Sequence, residues 1–579
     1  MIRRVEIAYF KRFEHHVFDL ADHIVLAGPN NAGKTTLAQA VNTWHFALRR
    51  WMTAKFRENG KGRSAEGEDG GTVRGRSGVP ITRKEFSVVP LRELSLLWTN
   101  TSTALSKDEL AAGQKLGTPR VITITLSGES QGEPWELAME FRYANSELLY
   151  AKPAADHLDA VPKAARDLSV IHVPPFSGIG AEETGLDRPY QELLIGQGKA
   201  GDILRNLLWE LHQLPDKAPW ERLVTDVESI FGFRLLPPDY EGRAFIFCEY
   251  LPGIPPKRGL GGLPRLDIAS GGSGFQQVLL LLSFFYARPS TVLLLDEPDA
   301  HLHVILQKQI FDRLRQAASL RACQLIVATH SEVILEATSP NRIISFFGPQ
   351  PHVLLEDIER DQVREALRRL TALELLLAEQ SDHVLYVEDE SDFNLLRAWA
   401  RVLGHRLKDW FEKRPFIHPI RGRNPREARA HFFALRAIRD GLRGYLLLDG
   451  DNRRLSEREV GADGLVLGRW QRYEAGSYLI HPEAIRRFAE SRTMPLLADK
   501  CAQFLRDELP PAVIRDPTGT HELLEALPAS KTLLPRSLAA ANLDVPKRDY
   551  FLIAEMMRRE ELPGEVETKL DEIATTFGL

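Results

Sequence analysis

The chain has few cysteines, no long apolar run and no surplus of basic charge. Cys248, Cys323 and Cys501 stand far apart in 579 residues and show no metal-binding spacing. That excludes a disulfide scaffold and a cysteine-ligated zinc module, and it reads as buried thiols in a reducing, cytoplasmic setting. No window approaches the ~18 uncharged apolar residues that a membrane span requires. The longest apolar stretch, 278–287, falls well short of that, and the opening Met-Ile-Arg-Arg-Val-Glu lacks the build of a signal peptide. Internal repeats, heptads long enough for a coiled-coil arm, zinc-finger spacing and a helix-turn-helix pattern are missing as well. A formal net charge of −5 argues against a surface coated with nucleic-acid affinity, while leaving room for a local basic channel.

What is present points to nucleotide chemistry. A chain this long exceeds one hydrophobic core, so about two to four domains are expected. Alternating apolar residues from Ile2 to Leu20 predict a hairpin, followed by a strand over 24–27. Then comes Gly28-Pro-Asn30-Asn31-Ala-Gly33-Lys34-Thr35-Thr36, with helical spacing over 35–48. A glycine loop between strand and helix is a phosphate cradle. Its amides, with Asn30, Asn31, Gly33 and Thr36 in the loop, would surround the phosphates of ATP. Lys34 would reach the β- and γ-phosphates, and Thr35 would ligate Mg2+.

Four further elements follow in an order that fits. Residues 292–295 form an apolar strand ending in Asp296, expected to hold Mg2+ through water, and Glu297, expected to polarise the attacking water. Upstream, Ser270-Gly271-Gly272-Ser273-Gly274 precedes an apolar helix, which suits the γ-phosphate of a nucleotide held by a second subunit. Either Ser270 or Ser273 could meet that phosphate. His301 and His303 follow the acids and read as packed or head-loop residues rather than metal ligands. His330 ends the strand over 325–329 and is placed to sense the γ-phosphate. Over residues 1–48 and 265–346 this order resembles the ABC-type ATPase heads of the SMC and Rad50 class. The resemblance implies an α/β head that sandwiches two ATPs in a homodimer or higher homo-oligomer.

The last third carries a second constellation. Residues 384–387 run apolar into Glu388, and 445–448 run apolar into Asp449-Gly450-Asp451. Asp392 lies at the start of a helix after the first strand. Asp449 and Asp451 leave one face of their strand tip. A Glu opposite an Asp-x-Asp pair makes an all-oxygen site suited to Mg2+ or Mn2+. Two such ions ~4 Å apart stabilise the attacking and leaving oxygens of a phosphodiester. Arg421, Arg423, Arg426, Arg429, Arg453 and Arg454 could line a backbone channel beside these acids, or form a solvated helix face.

The carboxylate pattern resembles the TOPRIM domain. Behind such a head, the whole chain is similar to the overcoming-lysogenization-defect (OLD) family, whose relatives include Gabija-type defence nucleases. That resemblance implies Glu388, Asp392, Asp449, Asp451 and Glu474 as metal ligands and Lys531 as a contact to the scissile phosphate. Two departures stand out: Asp389 occupies a usual glycine position, and Gly476 occupies a frequent acid position.

The expected architecture is an α/β ATPase head over 1–350, with an insertion at 51–120 and a helical arm at about 187–235. A helical linker over 351–380 follows, then a Rossmann-like TOPRIM domain over 381–490 and a helical segment over 491–579. Glycine- and proline-rich stretches at 58–78 and 252–264 read as loops. The expected activity is ATP-regulated, metal-dependent cleavage of DNA in prokaryotic anti-phage defence, together with an operon-encoded partner. RNA such as tRNA is the alternative substrate, and a DNA clamp or sensor with a non-catalytic TOPRIM domain is the alternative class.

Overall fold

Apolar residues at every second position of Ile122–Ser130 face inward, with Ile122, Ile124 and Leu126 buried between more exposed neighbours. Such alternation makes a sheet covered on one face. In the computed structural model this strand sits inside a six-stranded antiparallel sheet. Its strand order is Phe13–Asp19, Ile2–Phe10, Ile122–Ser130, Glu133–Asn145, Leu148–Pro153, Val79–Thr82. Pro80 lies in the last of these, an edge strand, where a missing N–H leaves no gap in the ladder. The structure describes residues 1–61, 78–110, 115, 117–158, 161–253, 263–413, 415–420, 425–451 and 462–579, the side chains of 56–61 and 425 excepted. Most of the two expected loops at 58–78 and 252–264 lies outside the described residues, as do Arg421, Arg423, Arg453 and Arg454.

The chain divides into two compact units, Met1–Val363 and Arg364–Leu579. In the first, a second sheet has the order His352–Val353, Ile343–Ser345, His23–Ala27, Gln324–Thr329, Val292–Asp296, Val170–Val173. All its pairings are parallel except that of the His352–Val353 edge. Val292–Asp296 and Gln324–Thr329 are buried at every position, as continuous apolar strands covered on both faces must be. The expected N-terminal hairpin and the strand after it therefore serve different sheets. The Lys34–Lys61 helix touches strands of both, and its Trp44 indole N–H donates to the Leu137 carbonyl at 2.9 Å. One apolar core runs through helix and both sheets.

Two expectations are corrected here. The segment at about 187–235 is not a projecting arm. It folds as Arg188–Gly196, Leu204–Gln213 and Ala218–Phe231, and the last two pack on the Ser273–Ala287 helix. That helix is apolar on all sides and buried from Phe275 to Tyr286, so this stretch needs cover all round. Leu204, Leu207, Leu208 and Leu211 supply part of it. The 51–120 segment is likewise not a pure insertion, since Val79–Thr82 completes the antiparallel sheet and Leu94, Leu97 and Trp98 join its core.

The second unit holds a four-stranded, wholly parallel sheet ordered Phe416–Pro419, His383–Val387, Arg443–Leu448, Leu465–Arg469. Leu385, Val387, Tyr445 and Leu447 share one core with helical residues as distant as Ile485, Leu505, Leu534 and Ile573. The helices after 490 thus cover one face of this sheet. The carboxyl ends of its two central strands point Glu388 and Asp449 the same way, at the edge where open parallel sheets place their ligands.

Candidate functional site

In the first unit the phosphate-loop residues converge at the carboxyl end of His23–Ala27. Gly33 has φ 111°, and Asn31 has φ 62° in the left-handed region that asparagine tolerates. A side chain at Gly28 would bring its Cβ to 2.7 Å from the Phe346 Cβ. The loop is therefore bare backbone, and successive amides in such turns form an anion-binding concavity. Lys34 is buried, with Nζ donating to the Gly28 carbonyl at 2.7 Å and the Pro29 carbonyl at 2.9 Å. His330 Nε2 is 3.0 Å from the same ammonium. Burial lowers the Lys34 pKa to about 8, against the pull of Glu297, Asp296 and Asp299.

The Thr35 hydroxyl donates to Asp296 Oδ2 at 2.8 Å, which sets the two expected Mg2+ ligands side by side. Burial, then the neighbouring Glu297, pushes the Asp296 carboxyl up, so this pair gains from a cation. Glu297 takes a left-handed backbone, φ 50°, fixed by its N–H on the Ala328 carbonyl at 2.8 Å. Gln277 clamps the same turn, with Nε2 donating to the Glu297 and Pro298 carbonyls at 3.2 and 2.8 Å. Glu297 Oε1 lies 3.4 Å from His330 Nε2, whose pKa burial and Lys34 depress. Gln277 was not among the residues singled out by motif; its place one helical turn after Ser273 is the signal that could have found it.

Ser270 and Ser273 are not equivalent. The Ser270 hydroxyl is turned onto the Asp267 carbonyl at 2.6 Å, in a segment held by the Arg205–Asp267 pair. Ser273 is the first residue of a 15-residue helix that carries no acid in its first turn. Ser270, Gly272 and Ser273 are all exposed. His301 packs edge-on against Phe176, and His303 precedes the Val304–Leu320 helix at its N-cap position without a side-chain capping bond.

In the second unit, three of the five expected acids are joined by a relay of main-chain contacts, with Asp392 beside them. Glu388 Oε1 accepts the Asp449 N–H at 3.0 Å. Asp449 Oδ1 accepts the Ala475 N–H at 3.1 Å, and Glu474 Oε1 accepts the Ser530 N–H at 2.7 Å. Each acid grips the backbone beside or ahead of the next. Asp392 caps its own helix, taking the Asp389 N–H on Oδ2 at 3.1 Å. Asp392, Asp449 and Glu474 are buried. Burial, then Asp392, Glu388 and Glu474, push Asp449 up to about 8. Burial raises Asp392 to about 7 despite Lys547. Carboxylates so disposed resist ionising together unless a cation joins them. The oxygens are spread more widely than a single mutual 4.8 Å cluster among the described residues. Asp451 is half-buried two residues on. Gly450 between the two aspartates fits because an added Cβ would lie 2.3 Å from the Arg472 carbonyl oxygen.

Lys547, which motif reading missed, faces these acids. Its Nζ is 3.4 Å from Asp389 Oδ2. Burial alone would lower its pKa, but Asp392, Asp389, Glu474 and Asp449 together raise it. Lys531 is exposed, one residue beyond the Ser530 amide that holds Glu474. At Gly476 a Cβ would approach the Ser530 Cβ to 3.0 Å, so an acid there would crowd the same contact.

Residues 256–336 match the family model described as "AAA domain, putative AbiEii toxin, Type IV TA system". The match spans Ser270, Ser273, Asp296, Glu297 and His330, and the first unit thus contains an AAA-family ATPase domain. Such a domain binds nucleotide, as a rule with Mg2+, and supports ATP hydrolysis. No curated protein matches the chain. Among solved structures, the SMC head domain from Thermotoga maritima is similar at 14% identity, with 59% of this chain and 94% of that one covered and a TM-score of 0.31. The SmcHead bound to the C-winged helix domain of ScpA gives 16%, 59%, 94% and 0.34. The Smc head domain with an extended coiled coil bound to the C-terminal domain of ScpA, from Pyrococcus furiosus, gives 15%, 59%, 92% and 0.32. Among the described residues no helix is long and apolar enough to cross a membrane.

Proposed function

We propose that this chain is an ATP-regulated, divalent-metal-dependent endonuclease of the OLD type, with a TOPRIM-like second unit that acts on DNA in prokaryotic anti-phage defence. The observation that carries the reading is the relay from Glu388 through Asp449 to Glu474, with Asp392 beside it and Lys547 as counter-charge. A solvated acidic surface has no need to bury three carboxylates beside one another, whereas a phosphodiester site does.

In this reading Lys34 and the loop amides bind ATP, Thr35 and Asp296 hold its Mg2+, Glu297 orients the attacking water, and His330 links that water to the γ-phosphate end of the site. Ser273, at its helix N-terminus, or Ser270 would meet the nucleotide of a second subunit in a homodimer. Glu388, Asp392, Asp449, Asp451 and Glu474 would hold Mg2+ or Mn2+, which activate water and neutralise charge on the scissile phosphate. Lys547 carries a cation to the same edge, and Lys531 remains a candidate contact to the nucleic-acid backbone. The backbone amides at 449, 475 and 530 keep the acids oriented while charge changes hands.

The test is nicking of supercoiled plasmid by the purified full chain with Mg2+ or Mn2+, with and without ATP. Activity that vanishes in EDTA and in Asp449→Asn supports the proposal. Cleavage that survives Asp449→Asn unchanged overturns the assigned centre. Cleavage of tRNA in place of plasmid reassigns the substrate while leaving the centre intact.

A further inference from the structure

We propose that Glu374, His418 and His431 form a separate cation site that takes a borderline transition metal such as Zn2+ and clips the Ala372–Gln380 helix to the sheet of the second unit. The three residues come from three elements: that helix, the Phe416–Pro419 strand and the Pro425–Leu435 helix. Their ligand atoms all lie within 4.8 Å of one another.

The carboxylate is pre-aimed. Glu374 closes a capping box, and its Oε2 takes both the Thr371 N–H and the Thr371 hydroxyl at 2.8 Å. Oε1 is thereby turned toward the two rings, 3.0 Å from His418 Nδ1 and 3.3 Å from His431 Nε2. Donors that sit ~2.0–2.2 Å from a tetrahedral ion stand about 3.3 Å apart, so the spacing already suits one coordination sphere. The two imidazoles are stacked, with centroids 3.9 Å apart and planes 22° off parallel, and both edges face the same oxygen.

His431 is buried with its Nε2 turned into the cluster, 3.3 Å from Glu374 Oε1. It is 4% exposed, and its Nε2 makes no hydrogen bond of acceptable geometry despite the nearby carboxylate. Its other nitrogen is taken: Nδ1 is 2.9 Å from the hydroxyl of Tyr386, itself fully buried. A hydrogen bond on the far nitrogen is how protein sites orient a ligating imidazole. His418 and Glu374 keep some exposure, which leaves a fourth position to water. Two imidazoles and one carboxylate with an open position favour Zn2+ over Mg2+. The all-oxygen acid relay has the opposite preference, so the two sites in this unit would sort their ions by donor chemistry.

The test uses the full chain stripped with EDTA and titrated with Co2+ in excess Mg2+, which reports a mixed nitrogen–oxygen site through its visible absorption. The expected result is about one equivalent of Co2+, displaced by Zn2+ and retained in Asp449→Asn. Glu374→Gln and His418→Asn should abolish the band. Tyr386→Phe should weaken binding ~10- to 100-fold while leaving the ligands in place. Circular dichroism and ATP binding by the same preparations confirm that each variant is folded. A wild-type chain that gives no band, or a band unchanged in Glu374→Gln and His418→Asn, overturns the assignment. Either result leaves the plasmid-nicking test of the acid relay unaffected.

Discussion

Glu388 Oε1 holds the main-chain N–H of Asp449 at 3.0 Å, joining the ends of two neighbouring parallel strands through a carboxylate. The contact binds residues far apart in sequence, and it fixes where the Asp449 side chain begins. Asp449 then repeats the device on Ala475. The acids are thus positioned by backbone, and their charges meet only after their orientations are set. A cation entering such a group finds oxygens already placed.

Stability in the absence of divalent ions should fall as pH rises. An unfolded aspartate titrates near 3.9, whereas burial and its acidic neighbours hold folded Asp449 at about 8. Between those values the folded chain keeps a proton that the unfolded chain has lost, so raising pH favours unfolding. Asp392, raised to about 7, adds in the same direction. Calorimetry in EDTA should show the transition of the second unit dropping by several degrees from about pH 5 to about pH 8. Mg2+ or Mn2+ should restore it at the upper pH. Asp449→Asn, which cannot ionise, should flatten both the pH dependence and the metal effect. An unchanged pH profile in that variant would sink the electrostatic account.

Much of this site was legible because parallel strands advertise themselves. The runs into Glu388 and Asp449 are short, apolar and β-branched or leucine-rich, and they end in acids where strands end. Asp392 was legible for the same reason, as the third residue of a helix capped by Asp389. Lys547 was not. It reaches the acids from a short turn near the chain's end, through tertiary packing that no local period records. The same limit applies to the first unit. The strands Phe13–Asp19 and His23–Ala27 follow each other closely, yet they belong to different sheets, because short apolar runs look alike whichever sheet they join. The helices after Asp187 were visible as helices; that they wrap the Ser273–Ala287 helix was not.

Lys547 and Lys531 should separate in a paired experiment. Lys547 is half-buried among acids, so Lys547→Met removes a cation that competes with a metal ion for the same field. Mn2+ affinity by calorimetry should rise several-fold, while cleavage falls by ~10²-fold, the scale of one lost charge-stabilising group. Lys531 is exposed, and Lys531→Met should leave the Mn2+ isotherm in place. A shift in the Lys531 variant with none in Lys547→Met would reverse the two roles.

Gly450→Ala should be costly for a residue with no chemistry of its own. The new methyl would lie 2.3 Å from the Arg472 carbonyl oxygen and 2.6 Å from that of Trp470, both backbone. Overpacking against atoms that do not yield costs about 1–3 kcal/mol or more. The expected outcome is a lower denaturation midpoint for the second unit together with loss of metal binding, because Asp449 and Asp451 flank the displaced bond. A variant with wild-type Mn2+ affinity would show that the Asp-Gly-Asp backbone is free to relax.

In the first unit, Glu297→Gln should separate binding from hydrolysis. The turn that carries Glu297 is fixed by the Ala328 carbonyl and by Gln277, so the amide isostere should keep its place. ATP should bind normally while turnover falls by ~10²–10⁴-fold, the usual contribution of a positioned base. Light scattering with ATP should then show a trapped dimer. Equal turnover in the variant would remove Glu297 from the hydrolytic role.

ATP binding itself should take up a proton in alkaline buffer. Burial holds the Lys34 ammonium at about 8 before nucleotide arrives. Phosphate oxygens at Nζ favour the charged form, so the bound-state pKa must lie higher. Above about pH 8 the free protein has lost the proton that the complex needs, and affinity falls as pH rises, by up to about tenfold per unit. Below about pH 7 both states carry the proton and the dependence should disappear. Calorimetry of ATP binding at about pH 8.5, in two buffers of different ionisation enthalpy, reads this uptake directly. Lys34→Arg, whose guanidinium stays charged throughout, should abolish the buffer dependence even if affinity is reduced. Equal proton uptake in Lys34→Arg would place the titrating group elsewhere in the site, with His330, 3.0 Å from Nζ, as the next candidate.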